Sequence, residues 1–261
     1  MESEEQEWIE SPEGWGTKVE CRGSDDGDGD GLCGSVDLFG NDDPNEYFTF
    51  TIQVDYKTTK LLRLHGFKLD SEETGRSTGV TLWQAAPRLA SFLQNHPEVC
   101  KGKSVLELGA GLGLCGITAY YLGAQSVVLT DGDTQTLKQM RENIKHNCGD
   151  DAFDCTNNNG TANNQIIACR QLIWGSPHME KFVQHGKYDT IIGADVVYTQ
   201  ESVQPLLDTV AFLLEEPYGQ FVLSRFSKWN NVDDVVVIES AKLRNLTCVR
   251  PSDGIFIFHW A

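Results

Sequence analysis

Residues that could carry chemistry lie in one glycine-rich stretch and at three later positions. The later positions are Asp131, Asp195 and Tyr198, each of which follows apolar residues. The stretch itself reads Glu107-Leu-Gly109-Ala110-Gly111-Leu-Gly113-Leu-Cys-Gly116. Glycines let the backbone turn sharply and approach a ligand closely, and a helix start behind them would offer unpaired N–H groups and a positive dipole end. We therefore expect this stretch to bind a cofactor.

Two kinds of cofactor are compatible with the glycine pattern. Residues 111–116 fit the G-x-G-x-x-G fingerprint of dinucleotide-binding domains, whereas residues 107–113 fit E-x-G-x-G-x-G, the first motif of seven-strand methyltransferases. Both patterns require an acid at the end of the next strand to hold the ribose hydroxyls. Asp131 is the expected acid, and Asp133 is the alternative.

The register of the glycines favours the methyltransferase pattern. In a dinucleotide site the first glycine follows the strand directly. Here that residue is Gly109, and a fingerprint begun there would need glycine where Leu114 stands. Glu107 also suits S-adenosylmethionine, because a carboxylate stabilises a nearby sulfonium and amino group. An NAD enzyme, or a glycine turn without any ligand, is the alternative.

The elements that would position these residues alternate regularly along the chain. Apolar spacing predicts helices over residues 82–95, 134–146, 202–214 and 232–243, and one more that follows the glycine loop and runs through Tyr121. It predicts strands over 47–54, 60–65, 104–108, 126–130, 165–172, 188–194, 220–224, 246–250 and 254–260. We expect an α/β fold: a Rossmann-like, doubly wound seven-strand sheet, mostly parallel with a terminal antiparallel strand, plus an N-terminal β-hairpin. Ligands would bind at the carboxyl ends of the central strands.

Charge is concentrated at the N-terminus. The chain has a net charge of −17, and residues 1–46 contain 15 acidic and two basic residues. We expect 1–46 to be a disordered acidic tail and 47–261 to be the folded domain. Residues 26–37 nearly match a calcium-binding EF-hand loop, with Asp37 in place of the closing Glu. Calcium binding and a solvated acidic run both remain open, and an Asp- and Asn-rich insertion is expected at 149–164.

Composition also restricts the partners and the compartment. An acidic chain argues against nucleic acid as the main partner and suits a basic protein surface. No apolar run approaches the roughly 20 residues of a membrane helix, and the first residues do not form a secretory signal. The eight cysteines include no C-x-x-C pair, so we expect reduced thiols, no metal site, and a cytoplasmic or nuclear monomer.

Four stretches together resemble the methyltransferase-like family 16, the seven-strand protein-lysine methyltransferases. The resemblance covers residues 47–261 and is greatest to the branch that acts on Hsp70 chaperones and translation elongation factor 1A. Its motifs are Gly79-Val-Thr-Leu-Trp83-Gln-Ala-Ala, Glu107-Leu-Gly109-Ala110-Gly111, Leu-Thr-Asp131 and Ile-Gly-Ala194-Asp195-Val-Val-Tyr198. Leu172-Ile-Trp174 is a weaker match, with Ile173 where the family often has Asp.

The resemblance implies a role for each matched residue. Trp83 and Trp174 would pack against S-adenosylmethionine, Trp174 near its adenine, and Asp131 would hold the ribose diol. The methionine and ribose would be lined by Gly109, Ala110 and Gly111, with Ala194 contacting the cofactor. Asp195 and Tyr198 would face the incoming amine as the catalytic pair. For Trp83, Trp174 and Tyr198, plain packing is the alternative.

The expected activity is S-adenosylmethionine-dependent protein-lysine N-methylation. The resemblance implies a protein substrate, such as a chaperone or a translation factor. A protein histidine or a small molecule as acceptor, and a non-catalytic cofactor-binding module, are the alternatives. The sequence alone identifies neither the substrate protein nor the degree of methylation.

Overall fold

A computed structural model describes residues 44–150, 165–184, 186–226 and 232–261. Its strands are β1 (Asn45–Gln53), β2 (Thr59–Phe67), β3 (Ser104–Leu108), β4 (Ser126–Asp131), β5 (Ile166–Gln171), β6 (Thr190–Ala194), β7 (Gln220–Ser224), β8 (Leu246–Ser252) and β9 (Ile255–Trp260). Its α-helices are α1 (Glu72–Arg76), α2 (Ala85–Asn95), α3 (Leu114–Tyr121), α4 (Thr134–Cys148), α5 (Gln200–Leu213) and α6 (Asp234–Lys242). Short 3₁₀ turns occupy Thr78–Val80, Pro97–Val99 and Pro177–Phe182.

Seven strands form one sheet in the order β5-β4-β3-β6-β7-β9-β8. The first five are parallel, and β9 runs antiparallel to both of its neighbours. β1 and β2 form a separate antiparallel hairpin. The predicted fold class is therefore confirmed. The chain winds outward in both directions from β3, so the junction of β3 and β6 is the topological switch point where α/β sheets bind ligands.

Apolar clusters cover both faces of the sheet. One cluster packs the hairpin, α2, α3 and α4 against one face, and the other packs α5 and α6 against the opposite face. Four consecutive residues of β3, from Val105 to Leu108, are buried. Strands covered on both faces read as continuous apolar runs, which leaves only their ends accessible to a ligand.

Two asparagines of α4 attach the hairpin to the domain. The Asn143 amide accepts from the His65 N–H at 2.9 Å and donates to the His65 carbonyl at 3.0 Å. The Asn147 amide likewise accepts from the Arg63 N–H at 2.9 Å and donates to the Arg63 carbonyl at 2.8 Å. Side chains four residues apart on a helix thus pair with alternate residues of a strand, so the open edge of β2 is satisfied as if another strand lay beside it.

The main departure from the predicted elements is the start of α2. Apolar spacing indicated a helix from residue 82, but the helix begins at Ala85, and Trp83 lies in the segment before it. The Trp83 indole N–H donates to the Thr78 carbonyl at 2.8 Å and so ties this segment to the preceding turn. The other predicted strand and helix ends of the domain shift by two residues or fewer.

Several sequence predictions fall outside the described residues. These are almost all of the acidic tail, the calcium-like loop at 26–37, and the insertion from residue 151 to 164. Within the described ranges, no helix combines the length and apolar character needed to cross a membrane. The same ranges contain no group of three or more side chains suited to hold a metal ion.

Candidate active site

The glycine loop joins β3 to α3 at the switch point of the sheet. Gly109, Gly111 and Gly113 have φ angles of 60°, 54° and 90°, in the left-handed region that side chains disfavour. The Ala110 N–H donates to the carbonyl of Thr130 at 2.8 Å, which joins the loop to the end of β4. The backbone conformation of this short connection therefore favours glycine at all three positions.

Neighbouring residues pack closely on the glycine loop. A methyl group on Gly109 would lie 2.7 Å from Val196 and 3.4 Å from the indole of Trp174. A methyl group on Gly111 would lie 3.2 Å from the Gly79 carbonyl. Gly79 and Trp174, both in motifs that the sequence singled out, thus border the loop from two sides.

Asp131 lies at the carboxyl end of β4 and holds the loop through its carboxylate. One oxygen accepts from the Gly111 N–H at 3.2 Å, and the other accepts from the Asp133 N–H at 3.1 Å. Burial raises the pKa of Asp131, and these backbone hydrogen bonds oppose the shift. Each carboxylate oxygen has two acceptor positions, so Asp131 can still accept hydroxyl groups of a ligand.

Asp133, the alternative ribose ligand, is the N-cap of α4. Its carboxylate accepts from the Thr136 N–H at 2.7 Å and from the Ser77 hydroxyl at 2.8 Å. Slight desolvation raises the pKa of Asp133, but these hydrogen bonds outweigh it and lower the pKa below its ordinary value. Of the two acids, Asp131 is therefore the one that contacts the glycine loop.

Glu107 lies beneath the glycine loop and is 2% exposed. Its carboxyl accepts from the Gly116 N–H in the first turn of α3 at 2.7 Å. Burial raises the pKa of Glu107 to about 8, and the hydrogen bond from the Gly116 N–H opposes the shift. The hydrogen bond to Gly116 makes Glu107 a support between the loop and its helix, and its predicted role beside a cationic ligand stays a prediction.

Asp195 follows β6 with a φ of 54°, which is uncommon for any residue except glycine but least so for Asp and Asn. Its carboxylate accepts from the Ala85 N–H and from the Phe226 N–H, each at 3.0 Å. Burial raises the pKa of Asp195, and these hydrogen bonds and the nearby Arg88 oppose that shift. Asp195 thus connects the start of α2 with the end of β7.

The remaining predicted residues are Trp83, Tyr198, Ala194 and Trp174. Trp83 is 40% exposed and Tyr198 is 57% exposed, so neither is an ordinary core residue. Tyr198 is three residues beyond Asp195 in the same loop, and Ala194 ends β6 opposite Ser224. Trp174 packs partly against the core and partly against the glycine loop.

Sequence reasoning missed several residues around Asp195. Arg88 donates to the Arg225 carbonyl at 2.8 Å, and Arg225 forms a 2.6 Å ion pair with Asp234. Their position in the sequence could have indicated this role, because Arg225 and Phe226 come directly after the apolar strand 220–224, whose carboxyl end faces the site.

Comparisons with known proteins agree with this fold. The fold resembles the solved 16S rRNA methyltransferase of T. thermophilus, with a TM-score of 0.51 and 14% identity over 82% of this chain and 51% of that one. At that identity, the resemblance concerns the fold alone. It defines the chain as a protein of the Rossmann-like methyltransferase fold.

Residues 65–235 match the family model described as lysine methyltransferase, and the chain belongs to that family. It is 32% identical over 149 residues to the protein N-lysine methyltransferase METTL21A of Xenopus tropicalis, covering 57% of this chain and 61% of that protein. It is also 32% identical over 157 residues to EEF1A lysine methyltransferase 3 of the same organism, covering 59% and 62%. The chain therefore spans about three fifths of the length of these relatives.

Proposed function

We propose that the protein is an S-adenosylmethionine-dependent protein-lysine N-methyltransferase. The observation that carries the proposal is the hydrogen bond between Asp131 and Gly111 at the switch point of the sheet. It holds an acid against a left-handed glycine loop. This loop follows β3, which is the neighbour of β6, the strand that precedes Asp195. Membership of the lysine methyltransferase family supports the same activity.

The residues of the loop fit S-adenosylmethionine. Gly109, Ala110 and Gly111 offer close backbone approach to its methionine and ribose, and Asp131 has free acceptor positions for the ribose diol. Trp174 borders Gly109 and would supply an apolar surface for the adenine, while Trp83 and Ala194 would also contact the cofactor. When bound, this cofactor supplies an electrophilic methyl group on a sulfonium.

The acceptor chemistry requires a neutral amine. Lysine has a reference pKa of about 10.4, and partial burial beside the loop favours loss of its proton. Each oxygen of Asp195 uses one acceptor position for a backbone N–H and keeps another for an N–H of the amine. Tyr198 is exposed three residues beyond Asp195 and would offer its oxygen or ring face. Orientation of this kind supplies about 7–11 kcal/mol in favourable cases.

The proposed partner is a protein that carries the target lysine, such as a chaperone or a translation factor. One relative is named for methylation of EEF1A, and this supports a translation factor. The five cysteines of the described ranges are all free thiols, which suits the reducing cytoplasm or nucleus. We propose that the protein acts there as a monomer.

The activity is tested by incubating the purified chain with a cell extract and S-adenosylmethionine labelled on its methyl group. A labelled protein whose label maps to a lysine supports the proposal, and the Asp195→Asn variant serves as the inactive control. Label on a histidine, or in a small molecule only, would overturn the lysine assignment.

Cofactor identity has a separate test. A ligand present at 100 times its Kd stabilises the fold by about 2.7 kcal/mol. We expect S-adenosylhomocysteine to raise the melting temperature accordingly, and NAD to leave it unchanged. The reverse result would assign the loop to a dinucleotide.

A further inference from the structure

Arg88 lies one turn after the start of α2, the helix whose first N–H binds Asp195. The Ala85 N–H donates to the Asp195 carboxylate at 3.0 Å, and residues three apart in a helix are neighbours on its surface. The side chain of Arg88 is partly buried. The same helix end therefore brings both a backbone N–H and a cation to the proposed amine site.

The Arg88 guanidinium holds the segment that follows β7. It donates to the Arg225 carbonyl at 2.8 Å and lies 5.0 Å from the centre of the Phe226 ring, within the range of a cation–π contact. It also passes so close to Gly254 that any side chain there would collide with it. Because Gly254 has a φ of 69°, backbone conformation and space both favour glycine beside the guanidinium.

One peptide group connects Arg88 to Asp195. The Phe226 N–H, which donates to Asp195 at 3.0 Å, belongs to the same peptide group as the Arg225 carbonyl, which accepts from Arg88. A peptide group is planar, so the hydrogen bond at its carbonyl fixes the direction of its N–H. Hydrogen bonds in such a chain also polarise and strengthen one another. Arg88 thus orients the donor that holds the Asp195 carboxylate.

The charge of Arg88 acts on the same carboxylate. Burial raises the pKa of Asp195, and the cations that oppose this shift are Arg88 from α2 and Arg225 from the end of β7. The charge of Arg225 is compensated by Asp234 at 2.6 Å and by the nearby Asp233. Within the described ranges, Arg88 forms no ion pair of its own. Its charge is therefore the less compensated of the two.

The ionised form of Asp195 is the one that can receive an amine. A carboxylate only accepts hydrogen bonds, whereas a protonated carboxyl group carries an O–H donor on one oxygen. Both oxygens of Asp195 already accept from a backbone N–H. Protonation would remove acceptor positions that the N–H groups of the substrate lysine need.

We propose that Arg88 is a positioning residue for methyl transfer: through one peptide group it aims the Phe226 N–H at Asp195, and its charge keeps the Asp195 carboxylate ionised as the amine enters. The proposal rests on the protein-lysine activity proposed above, in which Asp195 receives the amine.

Two substitutions separate the charge of Arg88 from its hydrogen bond. Arg88→Gln keeps an N–H donor for the Arg225 carbonyl but has no charge, whereas Arg88→Lys keeps both. Gln and Lys are good helix formers, so α2 should persist. Arg250→Gln is the matched control, because Arg250 lines the same small cavity as Arg88 but is 48% exposed and pairs with Asp234.

The first measurement is the pH dependence of kcat/KM, with the protein that becomes labelled in the extract experiment as substrate. Protonation of the substrate lysine affects every variant alike, so the ratio to wild type isolates the enzyme group. For Arg88→Gln we expect kcat/KM to fall about tenfold at pH 6, the effect of about 1.4 kcal/mol, and to approach wild type as pH rises. Arg88→Lys and Arg250→Gln should follow the wild-type profile. An equal loss at every pH in Arg88→Gln, or the same shift in Arg250→Gln, would overturn the inference.

The second measurement needs no substrate. Carbon-13 NMR of the aspartate carboxyl groups follows the titration of Asp195, whose signal is identified by its loss in Asp195→Asn. We expect Asp195 to titrate at higher pH in Arg88→Gln than in wild type, and an unchanged titration would contradict the role of the charge. A melting shift with S-adenosylhomocysteine shows that each variant is folded. If no protein is labelled in the extract, the protein-lysine activity fails, whereas this titration still decides whether Arg88 acts on Asp195.

Discussion

The carboxylate of Asp195 accepts a hydrogen bond from the backbone N–H of Ala85, a residue 110 positions earlier in the chain. Ala85 is the first residue of α2, and the preceding Gln84 makes no side-chain capping bond. Asp195 therefore satisfies one of the unpaired N–H groups that every helix start presents. Asp195, which we expect to act on the substrate, therefore also holds the start of α2 in place beside the site.

Replacing Asp195 tests both parts of this role. Asp195→Ala removes two hydrogen bonds to backbone N–H groups, and we expect a loss of about 1–3 kcal/mol in the free energy of unfolding. Methyl transfer should be abolished, while the melting shift caused by S-adenosylhomocysteine persists. Asp195→Asn, which tolerates the same backbone conformation, should be more stable than the alanine variant but still inactive. Undiminished turnover in either variant would refute the assignment.

Asp131 and Asp133 form a matched pair for testing cofactor recognition. Asp131→Asn should weaken S-adenosylhomocysteine binding by at least about tenfold, because a charge-assisted hydrogen bond to a ribose hydroxyl is lost. Asp133→Ala should instead cost about 1 kcal/mol of stability as a lost helix cap, with cofactor affinity nearly unchanged. Calorimetric titration and urea unfolding separate the two effects. If the larger loss of affinity came from Asp133, the roles would be exchanged.

The glycine loop can be tested with a variant and a control that share the same backbone strain. Gly109→Ala places a methyl group 2.7 Å from Val196 at a φ of 60°, whereas Gly102→Ala has nothing within 4 Å at a φ of 72°. Each variant should lose roughly 1 kcal/mol from the left-handed backbone. Gly109→Ala should in addition lose cofactor binding, measured by titration with S-adenosylhomocysteine. Equal affinities in the two variants would show that the loop does not contact the cofactor.

Glu107 makes the stability of the fold depend on pH. Its pKa rises from 4.5 to about 8 on folding, so between these values the folded state binds more protons than the unfolded state. The contribution of Glu107 is therefore fully present at low pH and decreases as pH rises through about 8, by a few kcal/mol. Glu107→Gln keeps an acceptor for Gly116 and does not ionise. Urea unfolding from pH 5 to 8 should show wild type losing stability relative to this variant, and a constant difference would contradict the buried position.

The local residue pattern was sufficient to predict those features that depend only on neighbouring residues in the chain. Periodicity predicted the alternation of strands and helices and the position of Asp131 at the end of β4, because adjacent residues decide which face of an element is apolar. The helix 82–95 shows the limit of this reasoning. Its apolar spacing extends to Leu82, but the helix starts at Ala85, where the capping carboxylate comes from Asp195 in the loop after β6.

Residue patterns alone were enough to predict the fold class, the glycine loop and its acid, and the loop that contains Asp195 and Tyr198. Three relationships became visible only in the folded chain: Glu107 lies beneath the glycine loop, Asp195 joins Ala85 to Phe226, and Arg88 reaches the Arg225 carbonyl at the end of β7. The physical reason is the distance along the chain. Arg88 and Arg225 are 137 residues apart, and such a contact depends on which strands become neighbours, which no local periodicity encodes.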